Sequence, residues 1–302
     1  MSSEPGIPLH DWLAGGERVL VELPADSASQ ARAFHIFCRV EGSGPWVTFL
    51  HGFPTSSWDW ASVAPHLAPN LRLLLPDFLG FGDSDKPPGH RYSLFEQADI
   101  VEALWRRFAV STTALVAHDY GDTVAQELLH RHRAGRLPAR VSQAIFLNGG
   151  LYPGVHRPLL IQTLLENRMT GALVNLLLSE RVFRRNFSAV LSAQHPVSDS
   201  ELKQHWQAIT RNDGRLNYHR LIQYMGERRR HRERWVTALE NAGVPLRFLW
   251  GMDDPISGAP MAHEIRSRLP SAELVELKGV GHYPQLEVPG EMAKLLIQRL
   301  LQ

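Results

Sequence analysis

Three side chains in one order carry the chemistry of this chain. Asp119 stands in Ala114-Leu-Val-Ala-His-Asp-Tyr-Gly-Asp122, where an apolar run meets a small-x-Asp-x-Gly turn. A helical pattern follows, with Thr123, Val124, Ala125, Leu128 and Leu129. A strand that bends so tightly into a helix needs small residues two places either side of its tip, and Ala117 and Gly121 meet that need. Downstream, Phe248-Leu-Trp-Gly-Met-Asp-Asp-Pro255 sets an acid, Asp253 or Asp254, just past another apolar run. Lys278-Gly-Val-Gly-His-Tyr-Pro284 then puts His282 in a glycine-rich loop before the last helix. A nucleophile, an acid and a histidine together can do covalent hydrolytic catalysis. His51-Gly52-Phe53-Pro54 follows a strand where the Phe53 N–H is expected to serve an oxyanion hole, with the Tyr120 N–H as its companion. Asp119 as a simple helix cap is the plainer reading; the three groups in order outweigh it.

These groups need a scaffold of strands. Trp46–Leu50, Leu71–Leu75, Ala114–Ala117, Val141–Leu147 and Leu246–Trp250 are short apolar runs, each closed by small or polar residues. Helical patterns such as Ser93–Phe108 and Asp122–Arg133 lie between them. The alternation predicts a mostly parallel, doubly wound α/β sheet covered on both faces. From residue 151 to 242 the apolar spacing becomes helical throughout (Leu159, Leu160, Leu164, Leu165, then Trp206, Ile209, Leu221, Ile222, Met225). This predicts an all-helical cap of residues 151–242, inserted into a core of residues 1–150 and 243–302.

Composition narrows the partners. The 302 residues carry 32 basic and 31 acidic side chains, and the +1 net charge argues against a whole-surface nucleic-acid binder. The single cysteine, Cys38, allows no intramolecular disulfide and reads as a small buried apolar residue. No zinc-type ligand spacing occurs, and no metal or cofactor is called for. The start lacks a signal-peptide pattern, so a cytoplasmic protein is expected. The run Glu227-Arg-Arg-Arg-His-Arg-Glu-Arg-Trp235 reads by default as a solvated helix face, with an anionic-membrane or partner contact as the minority reading. His51 and His118 read as packed structural residues. Trp58, Trp60 and Trp206 read as core or pocket wall, and Gly80-Phe-Gly-Asp-Ser84 as a turn.

The stretches HGFPTSSWDW, DFLGFGDSDKP, AHDYGD, WGMDDP and GHYPQLE resemble the epoxide hydrolase and haloalkane dehalogenase branch of the α/β-hydrolase superfamily. The resemblance implies an Asp119–Asp254–His282 triad, with Asp254 preferred over Asp253 because Gly-x-x-Asp-Pro is the family spacing. The alternative acid position after the preceding strand holds Asn148. A carboxylate is already ionised at neutral pH, its ordinary pKa being ~3.9, and so attacks a saturated carbon without a base. The implied product is an ester of Asp119, cleaved by water that His282 deprotonates. Epoxide opening also wants an acidic hydroxyl, which cap tyrosines supply in this branch. Tyr152, Tyr218 and Tyr224 are those of the insertion. Asn217-Tyr218-His219-Arg220 resembles one tyrosine motif, with His219 in the other register and Tyr224 an equal candidate. Halide-binding dehalogenases commonly carry tryptophan and asparagine where Tyr120 and Phe53 stand, which favours epoxides. The partners implied are a small apolar organic substrate and water.

Overall fold

The structure, a computed structural model, describes residues 6–25, 31–155, 157–167 and 169–302. Eight strands among them form one sheet: β1 (Glu17–Leu23), β2 (Arg32–Glu41), β3 (Trp46–Leu50), β4 (Arg72–Pro76), β5 (Thr112–Ala117), β6 (Arg140–Leu147), β7 (Leu246–Gly251) and β8 (Glu273–Leu277). Their order is β1-β2-β4-β3-β5-β6-β7-β8; β2 runs antiparallel to β1 and β4, and every later pairing is parallel. The central strands are apolar on both faces because helices cover both, with Leu50, Leu115, Ala117 and Phe146 fully buried. The predicted α/β architecture is therefore present, with three strands more than the apolar runs suggested.

The site lies at the C-terminal ends of the parallel strands, where β5 enters the helix Tyr120–Arg133. Gly121 is obligatory there: a Cβ on it would lie 2.4 Å from the Leu50 carbonyl oxygen of β3. The Gly80–Ser84 segment is a turn, as expected. Gly82 adopts φ +48°, and the Asp77 carboxylate fills the space where a side chain would go. Cys38 is buried and free.

Helices occupy most of the stretch between β6 and β7, from Leu160–Glu166 to Arg232–Glu240. The last of these packs against the Tyr120–Arg133 helix, and Trp235 Nε1 donates to Glu127 at 2.9 Å. This part of the insertion thus lies on the core. The basic run is only partly the solvated face expected: Arg229, Arg230, Arg232 and Glu233 are exposed, but the rest turns inward. Arg228 is buried, Arg229 pairs with Glu166, Arg234 Nε meets Glu127 at 2.7 Å, and Glu227 caps Ser93–Leu94 at 2.7 Å. Three of the seven charges of the run, Glu227, Arg229 and Arg234, are thus engaged within the chain, and Arg228 is buried.

Candidate active site

Asp119 sits at φ +48°, ψ −103°, a strained conformation for a residue other than glycine. Its carboxylate caps nothing in the helix that follows; Oδ2 instead accepts the Phe53 N–H at 3.0 Å. No hydrogen bond from the Tyr120 N–H to that carboxylate is present, so of the two expected oxyanion donors only Phe53 engages it directly. Asp119 is 4% exposed and His282 3%, within reach of each other's charge. Burial raises the Asp119 pKa, while the charges of His282 and Arg228 and the Phe53 N–H pull it back down.

His282 Nδ1 bonds Asp254 Oδ2 at 2.8 Å. Asp254 is held by three further donors: Asn148 Nδ2 at 3.0 Å, Ser257 Oγ at 2.6 Å and Ile256 N at 2.7 Å. Burial would raise its pKa, but the His282 charge and these donors bring it to about 2, so it stays anionic. Asp253, in contrast, is exposed. Burial works against the charged form of His282 as well; Asp254, followed by the Asp119 and Glu287 charges, overcomes it and lifts the pKa to about 9. His282 and Asp119 are thus a buried pair in which each charge favours the ionised form of the other.

Several partners escaped the sequence reading. Asn148 is one: its amide also holds Gly251 O at 2.8 Å and accepts Gly251 N at 2.6 Å, tying β6 to β7 below Asp254. Glu287 shapes the histidine loop by accepting Gly281 N, Tyr283 N and Ser192 N at 2.8, 3.1 and 2.9 Å. A carboxylate one turn into the following helix was the available signal. His51 accepts the Phe78 N–H at Nε2 and bonds Gly52 O through Nδ1, and burial lowers its pKa to about 4. It is a neutral structural residue. His118 is likewise engaged, with Nε2 2.8 Å from His282 O.

The tyrosines divide sharply. Tyr218 donates to Pro54 O at 3.2 Å. Tyr224 packs on Tyr120 at 4.8 Å and Phe53 at 6.0 Å between centroids, and its buried hydroxyl has no hydrogen-bond partner. Burial and the Asp119 charge both raise its pKa, so the hydroxyl keeps its proton at neutral pH. Tyr152 lies under Arg268 and near Glu240 and Glu264, away from the triad. His219 lines a separate cleft of about 310 Å³ with Arg91, Arg220 and Arg230, without a triad member. Behind His282 is an apolar cavity of about 90 Å³, walled by Phe53, Pro54, Leu159, Ile161, Phe183 and Ile256. Ligand pockets usually measure roughly 300–1,000 Å³, so anything beyond a few carbons requires the cap to shift.

Arg228 is the charge that sequence patterning hid. It is 3% exposed, makes no hydrogen bond or ion pair among the described residues, and lies against Gly150, where an added Cβ would meet Nη1 at 2.1 Å. Neighbouring Gly149 touches Asp122 and the Asp119 Cα in the same sense. Burial and the Asp119 charge push Asp122 well up, toward its neutral form. Arg228 therefore acts chiefly on Asp119, favouring its ionised form. Arg228→Met should move the acid limb of any Asp119-dependent activity to higher pH, costing more at pH 6 than at pH 8, while Arg228→Lys preserves the limb. Equal losses at both pH values would reduce Arg228 to packing.

Residues 45–289 match the family described as alpha/beta hydrolase fold, and the chain belongs to it. The chain is 44% identical over 259 residues, 83% of its length, to the mesoderm-specific transcript homolog protein of Bos taurus, covering 77% of that protein. Among solved structures it resembles the haloalkane dehalogenase DatA of Agrobacterium tumefaciens (TM-score 0.76, 22% identity, covering 95% of this chain and 97% of that one). The epoxide hydrolase CorEH shares the fold too (TM-score 0.70, 17% identity, 94% and 99% covered). The α/β-hydrolase assignment made from the motifs thus holds. No described helix is long and apolar enough to cross a membrane.

Proposed function

We propose that this α/β hydrolase opens epoxides to diols through a covalent ester on Asp119. The single observation that carries the reading is a buried carboxylate at the tip of β5, held by the Phe53 N–H and facing a histidine–aspartate pair. The free hydroxyl of Tyr224 favours epoxides over halides, because ring opening creates an alkoxide that must be protonated.

The charge states close a cycle. In the resting enzyme Asp119 is anionic and His282 cationic. Asp119 attacks an epoxide carbon, the C–O bond breaks, and the alkoxide takes the Tyr224 proton, which His282 replaces. The ester no longer carries the charge that helped hold His282 protonated. The neutral imidazole then removes a proton from water, which attacks the ester carbonyl carbon while the Phe53 N–H steadies the oxyanion. Loss of the diol restores the starting pair.

Water oxygen thereby enters Asp119 and not the first diol. A single turnover in ¹⁸O-water should label the peptide containing Asp119 and leave the first diol unlabelled. Label in the first diol would mean direct attack on the epoxide, and no diol from a broad epoxide panel would overturn the reading. Tyr224→Phe should lower epoxide turnover roughly 10²-fold, the lower range for a general acid. Tyr218→Phe should cost less than about tenfold, since its hydroxyl is bound to Pro54; the reverse ranking in a kcat comparison would reassign the acid.

A further inference from the structure

Large aliphatic side chains are exposed together on one part of the cap. The helices Leu160–Glu166 and Gly171–Leu176 pack against each other, with Gly171 seated on the Leu165 carbonyl. Outward from them stand Leu160 (75% exposed), Leu164, Met169 (92%), Leu173, Leu176 and Leu177 (70%). Leu160 and Leu164 share one helix face, and so do Leu173, Leu176 and Leu177. Single exposed leucines are ordinary on a protein surface; six within eighteen residues of sequence are not. The inner face of the same segment does different work, because Leu159 and Ile161 line the cavity at His282.

The charges along this segment are mostly of one sign. Residues 157–179 contain a single acid, Glu166, and it is paired with Arg229. Arg157, Arg181 and Arg185, which flank the leucines in sequence, are exposed and form no ion pair among the described residues. Glu180, at the border, is held by Arg184 at 3.0 Å. The patch has no tryptophan or tyrosine, the anchors on which protein interfaces most depend. Flexible aliphatic side chains flanked in sequence by exposed arginines suit an anionic lipid surface, with the apolar face in the acyl boundary and guanidinium groups among the headgroups.

We propose that the leucine face of the cap docks on an anionic bilayer, so that the apolar cavity behind it is loaded from the lipid phase. The docking stands on the patch; only what the cavity does to its guest rests on the hydrolase reading. The occupant is the membrane surface, and a second copy or a protein partner is an outcome that would overturn it.

The full chain should float with vesicles of phosphatidylglycerol and phosphatidylcholine, and much less with pure phosphatidylcholine or at 1 M salt, where screening shortens to ~3 Å. The double substitution Leu173→Gln and Leu177→Gln, at exposed positions, should cut the bound fraction about tenfold or more. It should leave hydrolysis of a short, water-soluble epoxide unchanged. Arg181→Glu with Arg185→Glu should weaken binding to anionic vesicles alone. No flotation with either vesicle, or flotation indifferent to the leucine substitutions, would overturn the proposal. So would a dimer, seen by light scattering, that those substitutions dissolve. A chain that floats as expected yet converts no epoxide would leave docking standing and remove the hydrolytic reading instead.

Discussion

His282→Gln should leave a protein that forms its ester and then stalls. Offered an epoxide, the intact protein should gain the whole mass of the substrate, because ring opening expels nothing; a haloalkane would add its mass less hydrogen halide. The adduct should map to the peptide carrying Asp119. Steady-state turnover should fall roughly 10²–10⁴-fold, the usual range for a positioned general base. The choice of pH follows from the electrostatics. The His282 charge opposes the burial of Asp119 more than any other group does, so removing it raises the Asp119 pKa further. The variant should therefore alkylate more slowly the more acidic the buffer, and the adduct should accumulate best on the alkaline side, where more of Asp119 is ionised. In the wild type the opposite limb belongs to His282: above about pH 9 its proton is lost, and ester formation should slow. Unmodified protein across that whole range, with active wild type alongside, would remove Asp119 as the nucleophile.

The parts of this protein that were legible in sequence are those whose chemistry is local. The parallel strands announced themselves as unbroken apolar runs, since both faces of β3, β5 and β6 are buried. β1 and β2 did not. In β1 exposed and buried residues alternate from Arg18 to Leu23, as suits an antiparallel pair with one wet face, and this pattern is easily lost among charged residues. β8 is an edge strand in which only Leu277 is fully buried, so nothing in Glu-Leu-Val-Glu-Leu insists on a sheet. The Asp119–Asp254–His282 set was readable because each member sits in a loop whose glycines or proline mark a strand end. The choice between Tyr218 and Tyr224 was not, for it depends on which hydroxyl finds a carbonyl, and Pro54 is 164 residues away from Tyr218 in sequence. Arg228 is the sharpest case. A run of arginines looks solvated, and only packing against Gly150 shows which one enters the interior.

Asp119→Ala should abolish turnover, by at least about 10⁴-fold, because the proposed mechanism then has no ester for His282 to cleave. The same substitution should not destabilise the fold. Asp119 has a raised pKa, so the folded state binds its proton more tightly than the unfolded chain does. Sign follows directly: stability contributed by such a group is present below the unfolded pKa and is lost as pH rises through the folded one. Whatever part of the carboxylate is ionised is therefore a net cost to folding, while the positive φ is kept by alanine and offers no gain. Thermal unfolding at pH 7.5 should give a Tm for Asp119→Ala equal to or above that of the wild type, and the difference should shrink as the buffer is made acidic. A marked fall in Tm, with activity lost only in proportion to unfolded protein, would make Asp119 a structural residue. Stability gained while activity vanishes is the behaviour expected of a side chain kept for its chemistry at the expense of the fold.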